Sequence, residues 1–351
     1  MEIQPLPTLR PLRLGELLDQ AIRLYRRNFL TFVGIIALVY VPLMILQTAS
    51  TTLLASSLTD ISAATSPEAI FTNYAYWAGM ASTIGVVFIQ FILVQGIATG
   101  ALTRAVADNY LGKKVGILDS YRGIGKSWLT LIGALLFVGI VFIAISLWWL
   151  VPCIGWFTGL GMLAFLMAAV SPLVAPVVVL ERQGAFQAVQ RAWNLARRRF
   201  WPVLGTILVL YLFSLIVVNG PATIVNVLLA QGFSSVGDPT TNLVLTSIIQ
   251  ALVSLVFILI YYPLQMTAFT LIYFDLRVRT EGLDLAFQTA NLTDAPDLAQ
   301  AMSAPVSQAN ERLVTGADLG NFAILTLAAL GVYIFLFTFL MGSVFFLGSL
   351  F

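Results

Sequence analysis

Four arginines fall within nine residues, Arg191, Arg197, Arg198 and Arg199, and the chain then runs from Phe200 to Tyr211 without a charge. A guanidinium presents fixed donors that match phosphate and carboxylate oxygens, so such a cluster beside an apolar run can hold an anionic headgroup or an acidic partner. The combination recurs. Arg23, Arg26 and Arg27 precede Phe29, and Lys113, Lys114, Arg122 and Lys126 precede Trp128. Arg277 and Arg279 stand instead at the far end of an apolar run, in FDLRVRTEGLD. Together these are the candidate contacts to lipid headgroups or to a partner.

Other chemistries are thinly supplied. The chain has no histidine and a single cysteine, Cys153, next to Pro152. Imidazole ligation of haem, zinc or copper is thereby removed, as is a disulfide within the chain, and no cofactor is expected. Neither a Ser/His/Asp nor a Cys/His arrangement exists, and no phosphate loop is present, so the reading is non-enzymatic. An ionisable group near a membrane midplane would mark a proton- or ion-coupled transporter, and the apolar segments offer none there. Uncharged polar groups remain: Gln90, Gln95, Asn219, Asn226, Gln250 and Gln265. Interhelical hydrogen bonds, at about 0.6–2 kcal/mol each, satisfy such groups in ordinary bundles. Alternatively they line a cavity for a lipid or a small neutral solute.

The elements that must position these residues follow from composition. Of 351 residues, 59% are hydrophobic and 10% charged, where a soluble domain is about 25% charged. The chain reads as an integral membrane protein. Roughly 20 apolar residues cross a bilayer, and the apolar blocks divide into helices at about 29–50, 76–104, 127–150, 155–180, 200–219, 242–275 and 320–349. The break at Asn219-Gly220-Pro221 is expected at the outer surface, with 222–231 a short interfacial or re-entrant piece. No cleavable leader is visible, because the first apolar run begins near Phe29 and has spanning length. All 18 Lys and Arg fall before the first helix, between the second and third, between the fourth and fifth, or after the sixth. The positive-inside rule then places the N-terminus and residues 277–318 in the cytoplasm, and the C-terminus on the opposite face. Net charge is only +2, and insertion already explains the arginines, so nucleic-acid binding is not expected.

Laying residues 14–40 over 185–211 superposes Ala21 on Ala192, Leu24 on Leu195, Arg26 and Arg27 on Arg197 and Arg198, Phe29 on Phe200, Gly34 on Gly205, and Tyr40 on Tyr211. A weaker third copy matches Arg23 with Arg122, Arg27 with Lys126, Phe29 with Trp128, and Gly34 with Gly133. Each copy is an amphipathic stretch, a basic cluster, an interfacial aromatic and a hydrophobic helix. In 185–200 the apolar Ala185, Val189, Ala192, Trp193, Ala196 and Phe200 recur at helical spacing, which suits a helix lying at the headgroup level. Copies that start and end on one side are parallel, and three helix pairs pack naturally about a pseudo-threefold axis.

The stretch YYPLQMTAFTLIYFDLRVRTEGLDL, residues 261–285, taken with RLGELLDQAIRLYRRNF, residues 13–29, resembles a group of bacterial multi-helix proteins. They are similar to the membrane domain fused to some glycerophosphodiester phosphodiesterases. The resemblance covers about residues 10–287. In that family the chemistry belongs to a separate soluble barrel of roughly 250 residues, which residues 286–318 are far too few to form. The resemblance therefore implies a membrane module without the phosphodiesterase activity. Within its exit stretch, Arg277 and Glu281 stand four apart and could pair along a helix.

The expected fold is all-α integral membrane: a six-helix core over 1–285, made of three parallel helix-pair repeats with cytoplasmic amphipathic helices. Residues 286–318, rich in Ala, Gln, Asp, Ser and Pro, read as a flexible cytoplasmic linker. A tethered seventh transmembrane helix occupies 319–351, with Gly331, Gly342 and Gly348 allowing close approach to its own bundle or to another subunit. The expected function is a scaffold or accessory subunit of a membrane complex in the bacterial cytoplasmic membrane. Its expected partners are anionic lipids and a membrane protein or second copy held through 319–351. The alternative is a carrier for a lipid or small neutral solute.

Overall fold

Three times along the chain a short helix with a basic last turn or cap is followed at once by a long apolar one. α1 (Leu14–Arg27) leads through Asn28 into α2 (Phe29–Ala63). After the single turn α3 (Ala69–Thr72), the chain returns as α4 (Tyr74–Gln90), a π-helical stretch (Phe91–Ala98) and α5 (Thr99–Tyr110) without a break. The second pair is α6 (Ile117–Ile124) and α7 (Ser127–Trp148), returning as α8 (Ile154–Val170) and α9 (Val174–Glu181). The third is α10 (Ala185–Arg198) and α11 (Phe200–Ser214), the latter continuing through a π turn (Leu215–Asn219) into α12 (Gly220–Gly232). α13 (Pro239–Glu281) is the last return, and α14 (Gly316–Gly348) follows. The structure, a computed structural model, describes residues 10–63, 69–152, 154–170, 172–232, 239–285 and 315–348. Most of the expected linker 286–318, and Cys153, lie outside the described residues.

Among the described residues every regular element is helical, and six helices are long and apolar enough to cross a membrane: Phe29–Leu58, Tyr74–Tyr110, Ser127–Trp148, Phe200–Leu229, Val244–Glu281 and Gly316–Phe335. This is the make-up of an all-α, multi-pass membrane protein. Two expectations need correction. The helix expected over 155–180 is two helices, because Pro172 withholds a backbone donor and the chain turns at Pro172 and Leu173 before resuming. The expected break at Asn219-Gly220-Pro221 does not occur. There the helix absorbs an extra residue as a π turn just before Pro221, which has no N–H to donate back along the helix, and Asn219 Nδ2 donates to the Ser214 carbonyl at 3.3 Å.

The core lies at the basic end. α5, α9 and the last turns of α13 pack against one another, and their residues Ala105–Ala107, Val177–Leu180 and Leu271–Phe274 are buried. Each short helix packs on one of these ends: α6 on α5, α10 on α9, and α1 on α13. The contact of α1 with α13 joins the first element to the last return and closes the ring. α1 buries Leu17, Ala21 and Tyr25 while Arg23 and Arg26 stay exposed. Away from this end the helices expose large apolar side chains, among them Ile45, Ile84, Ile140 and Ile216. At 1.5 Å per residue, α13 is about 65 Å long, roughly twice the hydrocarbon thickness, so one helix serves both the apolar region and the basic core.

Candidate functional site

The three return helices bring their charges into the core. α9 ends at Glu181 because Arg182 adopts a left-handed conformation, φ 52°. The turn reverses the chain into α10, and Arg191, a little under two turns along, comes back over that carboxylate with its Nε 3.2 Å from Glu181 Oε2. Gln183 Nε2 donates to the same oxygen at 3.1 Å. From α13, Arg277 Nε meets Glu281 Oε2 at 2.8 Å, one turn along the helix, and Arg191 Nη2 closes on Glu281 Oε1. Tyr273 joins the halves, accepting from Arg277 Nη1 at 3.0 Å and donating to Glu181 Oε1 at 2.9 Å. The four charged side chains are between 2% and 8% exposed.

Two carboxylates and two guanidiniums cancel formally. A closed, hydrogen-bonded set of this kind is the form in which charge survives burial, because each ion's lost hydration is replaced by a partner. The cluster joins α9, α10 and α13, and Arg191 Nη2 and Glu281 Oε1, which make no other hydrogen bond, are held to each other as an ion pair. The spacing of Arg277 and Glu281 announced their pairing. Arg191 and Arg277, however, are corrected as headgroup contacts, because both are buried within this cluster. Glu181 escaped notice altogether. Its one signal was position, as the first charge after the uncharged run Ser127–Leu180.

A second ionic device holds the N-terminal segment. Asp275 accepts Arg279 Nε on both oxygens at 2.9 Å, and its Oδ1 also accepts the Leu12 backbone N–H at 2.7 Å. Arg279 Nη2 donates to the Leu12 carbonyl at 2.6 Å. Beside this clamp opens a crevice of about 410 Å³ between the start of α1, the first turns of α11 and the end of α13. Arg13, Arg199 and Arg279 line it together with Leu17, Val203 and Ile272. On α5, Arg104 and Asp108 form a further nearly buried pair at 2.9 Å. At the start of α14, Asp318 accepts the Thr315 N–H at 2.8 Å as a helix cap and lies 3.7 Å from Arg197 Nη1 on α10.

The remaining basic candidates are outside. Arg23, Arg26, Arg27, Lys113, Lys114, Arg122, Lys126 and Arg198 are exposed, and Arg199 is half-buried at the crevice. The uncharged candidates do not converge on one cavity. Gln90 Nε2 donates to Tyr40 Oη at 3.4 Å; Tyr262 Oη lies 2.6 Å from Thr99 Oγ1 and 3.4 Å from Gln95 Oε1. Thr99 also donates to the Val94 carbonyl, a π-helical position. Gln250 and Gln265 are half-buried on α13, Asn219 is exposed, and the side chain of Asn226 lies outside the described residues. A larger cavity of about 860 Å³, lined by Trp149, Trp156, Leu330, Tyr333 and Phe337 among others, contains none of these amides. Tyrosines at the basic end make long-range bonds. Tyr25 Oη donates to the Ile260 carbonyl at 2.9 Å and Tyr121 Oη to the Ile35 carbonyl at 2.6 Å, and burial pushes both phenols up to about 12.

In comparison with known sequences, the family described as Domain of unknown function (DUF7847) matches residues 12–276. Neither the curated proteins nor the solved structures yield a match.

Proposed function

This chain belongs to that family, and we propose that it is a non-enzymatic scaffold or accessory subunit of a membrane complex, organising lipids or partners on its basic face. One observation carries the reading: buried charged residues of α9, α10 and α13 lock one end of the bundle together, while exposed lysines and arginines stand around that end. Such an arrangement makes a rigid platform with a cationic rim. Charge asymmetry supports a cytoplasmic location for the rim, in a bacterial cytoplasmic membrane, with α14 carrying the C-terminus to the other side. The three short-and-long helix pairs support an origin in three parallel repeats, with α1, α6 and α10 at the headgroup level.

α14 supports the partner half of the proposal. Its first turns pack on α8, whereas Leu327, Val332 and Met341 remain exposed as a surface for a membrane partner or a second copy. A carrier of lipid or neutral solute has weaker support, because the amides it would use are engaged by tyrosines or scattered. Purification in a mild detergent followed by mass spectrometry tests the proposal. A second polypeptide at fixed stoichiometry, or a defined oligomer, is expected; recovery of the lone chain with loosely held lipid sinks it.

A further inference from the structure

The crevice beside the N-terminal clamp combines two features that the rest of the basic face keeps apart. Tyr261 Oη donates to the Leu210 carbonyl at 2.8 Å, and Ile272 to Arg279 line the crevice together with Thr206 to Arg199. α11 and α13 therefore run antiparallel along it. Each places its arginine at one end and its apolar residue, Val203 or Ile272, some 6–10 Å deeper. Arg279 is neutralised by Asp275, both of whose oxygens are taken. Among the described residues, no carboxylate lies within ion-pair distance of the guanidinium of Arg13 or Arg199. Two positive charges without an ion-pair partner among the described residues thus stand at the mouth of a crevice with an apolar floor, where Val203 and Ile272 are 2% and 3% exposed. Its volume of about 410 Å³ lies within the roughly 300–1,000 Å³ range of small-ligand pockets.

We infer that the crevice binds one anionic phospholipid, its phosphate between Arg13 and Arg199 and the start of an acyl chain along Val203 and Ile272. The inference rests on the proposed placing of the basic face at the headgroup level. A single ligand satisfies both halves only if it joins an anion to a hydrocarbon. Phosphatidylcholine, with its own ammonium group, would bring a positive charge towards the arginines, so selectivity for a net-negative headgroup follows.

Native mass spectrometry of the full chain with phosphatidylglycerol and phosphatidylcholine of matched acyl chains tests this. One phosphatidylglycerol is expected to survive activation that strips phosphatidylcholine. The variant R13Q/R199Q should lose that retention about thirtyfold, from two arginines at the surface. R182Q removes one charge at an exposed arginine that does not line the crevice and should keep it. If the double variant does not fold, R13Q alone, altering an exposed side chain, should cost about fivefold. Equal retention in R13Q/R199Q, a loss in R182Q equal to that in R13Q, or displacement by glycerol 3-phosphate at the lipid's own concentration overturns the site, the last assigning it to a soluble phosphate. Lost lipid selectivity with an intact partner complex refutes the crevice alone, and a missing partner with retained lipid refutes the scaffold alone.

Discussion

Arg191 bridges Glu181 and Glu281, and Arg277 repeats the bridge from α13, so no member of the set can leave without stranding a charge. Arg277→Met should therefore destabilise the protein by about 3–5 kcal/mol in a detergent unfolding titration. Replacing Glu181, Arg191, Arg277 and Glu281 together by Leu or Met should cost far less, since no unpaired ion remains. If the single and quadruple variants are equally unstable, the cluster is a packing element rather than a charge-compensated one. The phenol of Tyr121 gives a residue-scale pH test. Its folded value of about 12 exceeds the ordinary value of about 10, so the unfolded state ionises first as pH rises. The stabilisation is complete below about pH 10 and is lost between about 10 and 12. Tyr121→Phe, which removes the bond to the Ile35 carbonyl, should cost about 1 kcal/mol at neutral pH. Its deficit relative to the wild type should shrink above pH 10, and a deficit that stays flat to pH 12 refutes the assignment.

α14 meets the rest of the chain through α8 and through the Arg197–Asp318 pair. At Gly161 a Cβ would stand 3.2 Å from both the Cα and the N of Thr326, so the backbones touch where glycine leaves room. Gly161→Val should push α14 away. With a protease site inserted between Gln288 and Leu298, residues 315–351 should stay with the remainder after cleavage in the wild type. They should be released in Gly161→Val and partly released in Asp318→Asn, read by size exclusion. Retention in Gly161→Val would locate the holding force elsewhere along α14. The glycines singled out from the sequence, Gly331 and Gly342, have open space around them instead. The close contact uses a glycine of the partner helix, which spacing within 319–351 had no means of revealing.

The whole molecule is built from the cyclic order α1 on α13, α6 on α5, α10 on α9. Among the described residues that closure gathers α1, α6 and α10, with their basic last turns, at one end, a geometric counterpart of the charge asymmetry. On a Cys153→Ser background, single cysteines replacing Lys113, Arg198 and Arg23 should react with an impermeant thiol reagent from the same side of sealed vesicles. A cysteine at Leu150 should react from the other. Opposite labelling of the sites at 113 and 198 would dismantle the ring, the proposed repeats and the lipid crevice at once.

The sequence by itself determined that the chain is helical and crosses a membrane repeatedly, because hydrophobicity over a span's length and the position of Lys and Arg are local quantities that a bilayer reads directly. It also carried the Arg277–Glu281 pairing, which needs only one helical turn. Tertiary structure decided which arginines are surface groups and which are buried. Arg191 and Arg198 look alike in sequence, yet one faces Glu181 and Glu281 while the other is exposed, because the turn after α9 and the packing of α13 choose the facing side. The crevice, too, belongs to three dimensions: Arg13, Arg199 and Arg279 are brought together by a ring that closes across the full length of the core, and no spacing along the chain encodes such a meeting.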